Sequence, residues 1–152
     1  MRTNAGATDG AGLIVEGLRK EYDSPTGPLV VLKDVSLTLS PGQTLAVVGA
    51  SGTGKSTLLN IIGSLDRPTA GSVRLDGQEV AVLRGGDLSA FRSRRVGFVF
   101  QDHHLLPQCT ALENVLVATL AVSSASGMAG IARALLERVG LADRMDYLPA
   151  RL

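Results

Sequence analysis

The sequence holds a single cysteine, Cys109, among 152 residues. One thiol excludes an internal disulfide and a zinc site built from cysteines, and Cys109 is expected to be a small packed side chain. Neither sign of charge dominates. Lys and Arg number 15 against 14 for Asp and Glu, a net charge of +1. A general nucleic-acid binder carries a strongly basic face, so nucleic acid is not an expected partner. Long hydrophobic runs are missing too. The longest, Val115 to Val122, is interrupted by Thr119 and falls far short of the roughly 20 residues that a bilayer span needs. Met1 to Gly12 is small and polar and does not read as a secretory signal. No internal repeat is visible. What is present is 45% hydrophobic and 19% charged, a globular composition, and the chain is long enough for a domain core. It is expected to be soluble by itself, with residues 1–11 a loose tail.

Strand signals crowd the first hundred residues. Leu13-Ile14-Val15 opens a segment running to Tyr22, and Asp23 to Pro28 is a turn cluster. From Leu29 to Leu39 apolar residues partly alternate with Ser36 and Thr38, a period of two. Pro41-Gly42 turns the chain into Thr44–Val48, an apolar run suited to a strand buried on both faces. Leu58, Leu59, Ile61, Ile62 and Leu65 predict one face of a helix. Gly71 to Gly77 and Val96 to Phe100 predict further strands, with a short helix between them capped by Asp87. Arg92, Arg94 and Arg95 read as its solvated face. Helices follow. Thr110 and Glu113 have the spacing of a capping box, with Leu112, Val115, Leu116 and Thr119 continuing that helix. Ile131, Leu135 and Val139 stripe a last helix, which Gly140 ends.

One motif carries chemistry. Gly49-Ala50-Ser51-Gly52-Thr53-Gly54-Lys55-Ser56 matches G-x-x-x-x-G-K-[ST] at every fixed position, between a strand signal and a helix signal. Phosphate oxygens need many donors in a small volume. Glycines let the backbone curl so that successive N–H groups point inward, and a helix starting near Gly54 adds its positive end. Lys55 supplies a mobile charge for the β- and γ-phosphates, and the Ser56 hydroxyl is a hard ligand for Mg²⁺. His103-His104 carries no metal site, because adjacent histidines on an extended segment point apart and no third ligand is in view.

A phosphate loop does not by itself choose among kinases, GTPases and transporters. Leu18-Arg19-Lys20-Glu21-Tyr22 precedes the loop. Val96-Gly97-Phe98-Val99-Phe100-Gln101, Leu105-Leu106-Pro107 and Thr110-Ala111-Leu112-Glu113-Asn114-Val115 follow it. In this order they resemble the ATP-binding domain of ABC transporters. Asn60 to Gly71 and His103 to Pro107 resemble more narrowly the group of lipoprotein-releasing (LolD-like) and macrolide-exporter (MacB-like) ATPases.

The resemblance implies an α/β, P-loop NTPase fold of the ABC ATPase type. An antiparallel β subdomain and core would span residues 12–101, and the start of a helical subdomain residues 102–152. It implies ATP and Mg²⁺ as ligands. Tyr22 matches the aromatic that stacks on adenine; if only its π face matters, the hydroxyl is dispensable. Gly49, Ala50, Ser51, Gly52, Thr53, Gly54, Lys55 and Ser56 match the Walker A loop, and Thr57 the next position, which touches the α-phosphate. Gln101 matches the Q-loop glutamine, which with Ser56 serves Mg²⁺ and orders the attacking water. Implied partners are an integral membrane subunit, docked near Gln101 to Asn114, and a second copy of the domain, at the cytoplasmic face of a cell membrane. The family's signature loop, Walker B aspartate with its following glutamate, and switch histidine have no counterpart in the sequence. Leu83 to Asp87 faintly mimics the signature but precedes Gln101. The chain is therefore expected to be the N-terminal part of a longer domain, without turnover on its own. The Val115–Val122 run, with no polar face, is expected either to be buried or, the preferred reading, to meet a surface that another chain or the missing half supplies. Alternatives are a non-catalytic binding or interaction fragment and another P-loop enzyme such as a small-molecule kinase. The cargo is not written in this sequence.

Overall fold

In β1, Leu13–Tyr22, the side chains of Leu13, Val15 and Leu18 are buried. A strict period of two would turn Gly17 inward instead. Gly17 sits in a bulge, where the register against both neighbouring strands shifts, and the extra residue brings Leu18 to the core face. The structure, a computed structural model, describes residues 12–102, 104–121 and 127–152. The tail expected at residues 1–11 lies outside them, as do His103 and Val122.

β1 is central. It pairs antiparallel with β2, Leu29–Leu39, placing Leu13 opposite Leu39 and Tyr22 opposite Leu29. On its other edge it pairs antiparallel with β3, Ala70–Leu75, with Val15 opposite Val73 and Arg19 opposite Ala70. The short β4, Gln78–Glu79, was not foreseen from sequence and extends the order to β2-β1-β3-β4. This is the antiparallel sheet that the resemblance implied. Its buried face packs with α1, Lys55–Ile62, and α2, Gly85–Arg95, around Leu18, Ile61, Val15 and Val73.

Several expectations need correction. Leu58 and Ile61 of α1 are buried, but Leu59 and Leu65 are exposed; Leu59 lies about 100° around the helix from Leu58 and leaves the core face. Asp87 is not the cap of α2. Arg84 holds that position, and Asp87 sits in the first turn, where its charge suits the helix dipole. Arg92 is half-buried and donates to the Ser64 carbonyl at 3.0 Å, so it is not part of a solvated face. Thr44–Val48 and Val96–Phe100 form no strand. Val47 and Val96 pack on the core, but Val48 is 86% and Val99 102% exposed. A strand needs a neighbour to satisfy its N–H and C=O groups, and these runs find none among the described residues.

The chain divides into two compact units at Gly97/Phe98, four residues before the expected boundary at 101/102. In the second unit, α3, Ala111–Val117, carries the capping box. Glu113 N–H donates to Thr110 Oγ1 at 3.2 Å, and Thr110 N–H to Glu113 Oε2 at 2.7 Å. Leu112 packs with Ala132, Leu136 and Met145, the inner residues of α4, Met128–Arg138, and of the segment that follows it. The stripe of Ile131, Leu135 and Val139 is exposed, and Ala132 and Leu136 are buried instead; the apolar face that packs is the smaller one. Past α3 the chain tightens into a 3-10 turn at Ala118–Ala121, where Thr119 Oγ1 donates to the Leu116 carbonyl at 2.7 Å. Thr119 therefore does not continue the helix; its hydroxyl competes for backbone carbonyls. Val117 and Leu120 of the expected apolar run are exposed.

The Thr110 bonds hold the Glu113 carboxyl below its ordinary range. A depressed folded value means that the cap's contribution is complete above the unfolded carboxylate pKa and is lost as pH falls through the folded one. Thr110→Ala should lower stability by about 1 kcal/mol at neutral pH. In Glu113→Gln the acid-side loss of α3 helicity, followed by circular dichroism, should flatten. An unchanged acid limb in that variant would separate the cap from the pH response.

Candidate functional site

The residues from Gly49 to Ser56 form an open loop leading into α1. Gly54 adopts a left-handed conformation, φ 86°, at the helix N-terminus. A Cβ there would stand 2.9 Å from Leu32 Cδ2 and 3.0 Å from the Val31 carbonyl, so only glycine joins the loop to the helix at this distance from β2. The first helical bond runs from Leu58 N–H to the Gly54 carbonyl at 2.9 Å. Ahead of it, the N–H groups from Ser51 to Thr57 find no acceptor among the described residues. Such donors, gathered at a positive helix end, fit a phosphate chain. Lys55 Nζ donates to the Ala50 carbonyl at 2.6 Å, and Thr53 Oγ1 to the same oxygen at 2.9 Å. One carbonyl thereby holds the lysine across the mouth of the loop. Ser56 is exposed at the first turn, and its hydroxyl is a hard oxygen donor of the kind Mg²⁺ takes.

Tyr22 lies beside this helix. Its hydroxyl donates to Asp66 Oδ2 at 2.7 Å, and the Lys20 ammonium stands 4.7 Å from the ring centroid. Bonding to Asp66, with some burial, raises the phenol pKa; the nearby Thr57 side chain and the Lys20 charge act the other way. Burial pushes the Asp66 carboxyl up, but bonds from Lys20, Tyr22 and the Arg67 N–H outweigh it and leave the group below its ordinary value. Lys20 and Asp66 were not singled out from sequence. They are 46 positions apart, and no local pattern joins them; the β1–β3 pairing brings the turn before β3 against the end of β1.

Gln101 belongs to the second unit and is exposed. In that unit Asn114 pins the preceding loop. Its side-chain amide donates to the carbonyls of Leu106 and Cys109 at 3.1 and 2.9 Å, and its Oδ1 accepts from Leu106 N–H at 2.8 Å. Leu105 and Leu106 remain exposed.

Residues 32–151 match the sequence pattern of the family described as ABC transporter. The chain belongs to the ABC transporter family. Among relatives in that family, a lipoprotein-releasing system ATP-binding protein LolD from Geobacter metallireducens is 52% identical over 141 residues, covering 92% of this chain and 63% of that protein. A macrolide export ATP-binding/permease protein MacB from Rhodopseudomonas palustris (strain HaA2) is 47% identical over 145 residues, covering 94% of this chain and 22% of that protein. The dimeric, post-hydrolysis structure of the ATP-binding cassette MJ0796, bound to ADP and Pi, is similar with a TM-score of 0.81 at 33% identity, over 92% of this chain and 62% of that one. The chain thus spans less than two thirds of the length of these relatives. It is homologous to the ATP-binding part of LolD and MacB proteins, and its fold is that of an ABC cassette over the shared length. No described helix is long and apolar enough to cross a membrane.

Proposed function

We propose that this chain is the nucleotide-binding portion of an ABC ATPase that drives export or lipoprotein release through a separate membrane subunit. The observation that carries this reading is the phosphate loop, with its unengaged N–H groups from Ser51 to Thr57 and Lys55 drawn across its mouth. In this reading Gly49 to Thr57 cradle the phosphates of ATP, and Tyr22 stacks on the base. Ser56 is the residue of the loop that would hold Mg²⁺, and Gln101, in the second unit, keeps the Q-loop role that the resemblance implies, serving Mg²⁺ and ordering the attacking water. When bound, Mg²⁺ supplies charge neutralisation at the β- and γ-phosphate oxygens. The chain's own contribution is positioning: N–H dipoles fixed in advance by α1 and a lysine charge that follows the phosphate. A second copy of the domain and an integral membrane subunit are the proposed partners, at the cytoplasmic face of a membrane. The segment from Gln101 to Asn114, pinned by the Asn114 amide, is the proposed docking loop.

A second reading, a nucleotide-binding piece without turnover, is favoured by Thr44–Val48 and Val96–Phe100. These apolar runs pair with no strand among the described residues, and unpaired edges invite aggregation. The sequence also offers no Walker B pair to complete a metal shell and no carboxylate after an apolar strand to orient water. The chain by itself should therefore bind ATP weakly and release no phosphate above background. The test is calorimetry with ATP and a phosphate-release assay on residues 1–152, beside a longer version carrying the missing motifs. ATP binding by neither version overturns the proposal. Turnover by 1–152 that is lost in Lys55→Ala overturns the expectation of inactivity.

A further inference from the structure

We propose that Lys20 and Asp66 are positioning residues for nucleotide, holding the Tyr22 ring so that a single face is offered to the base beside the phosphate loop. The proposal rests on the reading of Tyr22 given above and adds to it the device that fixes the ring. Tyr22 is the last residue of β1, where a side chain is least restrained by neighbouring strands. Three bonds converge on one carboxylate. Asp66 Oδ2 accepts from the Tyr22 hydroxyl at 2.7 Å, and Oδ1 accepts from Lys20 Nζ at 2.7 Å and from Arg67 N–H at 2.6 Å. Lys20 Nζ also donates to the Arg67 carbonyl at 2.7 Å while standing 4.7 Å from the ring centroid. The carboxylate cannot drift from the strand that carries the tyrosine, because Thr69 N–H donates to the Arg19 carbonyl at 2.8 Å and Glu21 N–H to Thr69 Oγ1 at 3.0 Å.

Two consequences follow for a base. The phenol is tethered at its tip and braced on one face, so both side-chain torsions are set before binding and their entropy is not lost on binding. The lysine side chain, 11% exposed, lies over one face, and Tyr22 as a residue is 40% exposed; the face away from the lysine is the one the proposal offers to the base. A cation on one face also withdraws π density from the ring, which lessens repulsion toward a purine stacked opposite. The sequence-based expectation that the hydroxyl is dispensable is therefore replaced: the hydroxyl is the tether.

A lysine–carboxylate pair could instead only tie the turn at residues 66–69 to β1. ATP and inorganic tripolyphosphate, titrated by calorimetry into the full chain, separate the two roles, because tripolyphosphate uses the loop and has no base. Tyr22→Phe, Lys20→Met and Asp66→Ala should each weaken ATP binding about three-fold or more and leave tripolyphosphate binding unchanged. Asp66→Ala should add nothing on a Tyr22→Phe, Lys20→Met background. The chain has two tyrosines and no tryptophan, so alkaline absorbance reads the phenols directly. Asp66→Ala should bring the Tyr22 titration down toward the ordinary value of about 10. Equal weakening of ATP and tripolyphosphate, or an unmoved phenol titration, overturns the proposal. ATP binding lost in Tyr22→Ala but intact in the other three overturns it while leaving base stacking in place. ATP binding unaffected by Tyr22→Ala removes the stacking reading and the proposal together.

Discussion

Lys55→Ala is expected to lower ATP affinity about ten-fold to a hundred-fold with the fold intact. The ammonium donates to the Ala50 carbonyl at 2.6 Å, an oxygen that also takes the Thr53 hydroxyl at 2.9 Å. In the proposed site, nucleotide would exchange this shared, neutral acceptor for charged phosphate oxygens. A charge-assisted hydrogen bond contributes about 1.5–3 kcal/mol, which sets the range of affinity lost. The helix should not suffer. Lys55 opens α1, and alanine is the best helix former, so circular dichroism should match the parent. The N–H groups from Ser51 to Thr57 stay in place, and residual binding should come from them. Calorimetry on parent and variant at equal ionic strength is the measurement. Equal affinities would take Lys55 out of the phosphate site.

Features set by neighbouring residues were the legible ones. The phosphate loop is read from eight consecutive positions, and its geometry depends on glycines within that stretch. The Thr110–Glu113 capping box is likewise contained in four consecutive residues, and both its bonds form. β1, β2 and β3 were visible because one face of each meets the core. Features that depend on partners were not legible. Thr44–Val48 and Val96–Phe100 have the composition of buried strands, but composition supplies no ladder, and the described residues offer none. The α4 stripe misled for a related reason: Ile131, Leu135 and Val139 are the larger side chains, but the surface provided by Leu112 and Met145 accepts Ala132 and Leu136. The site followed the same division. The proposed roles of Gly49 to Thr57 and Tyr22 come from sequence, whereas the contacts of Lys20 and Asp66 with Tyr22 became visible only once antiparallel pairing had joined segments 46 positions apart. The family resemblance, by contrast, was legible from motif order alone and agrees with the match over residues 32–151.

Gly71→Val is expected to destabilise the first unit by about 2–5 kcal/mol, combining backbone strain with overpacking. Gly71 is the second residue of β3 and adopts φ 90°, a region that L side chains rarely enter and β-branched ones least. Space is lacking as well. A Cβ there would stand 2.4 Å from the Gly17 carbonyl oxygen and 2.6 Å from the Glu16 carbonyl oxygen. Both are backbone atoms of the β1 bulge, where the β1–β3 register shifts between Glu16 and Arg19, and neither can swing aside as a side chain could. Relief requires β3 to separate from β1 at the point where Thr69 N–H meets the Arg19 carbonyl and Thr69 Oγ1 meets Glu21 N–H. Those bonds hold the Asp66 turn against Tyr22, so base-dependent ATP binding should weaken alongside stability. Ser72→Val on the next residue is the control. It lies in the same strand without positive φ, and a β-branched residue suits it, so its unfolding free energy from a urea titration should stay within about 0.5 kcal/mol of the parent. A Gly71→Val unfolding free energy equal to that of Ser72→Val would mean that the close approach of β3 to the β1 bulge does not exist in solution.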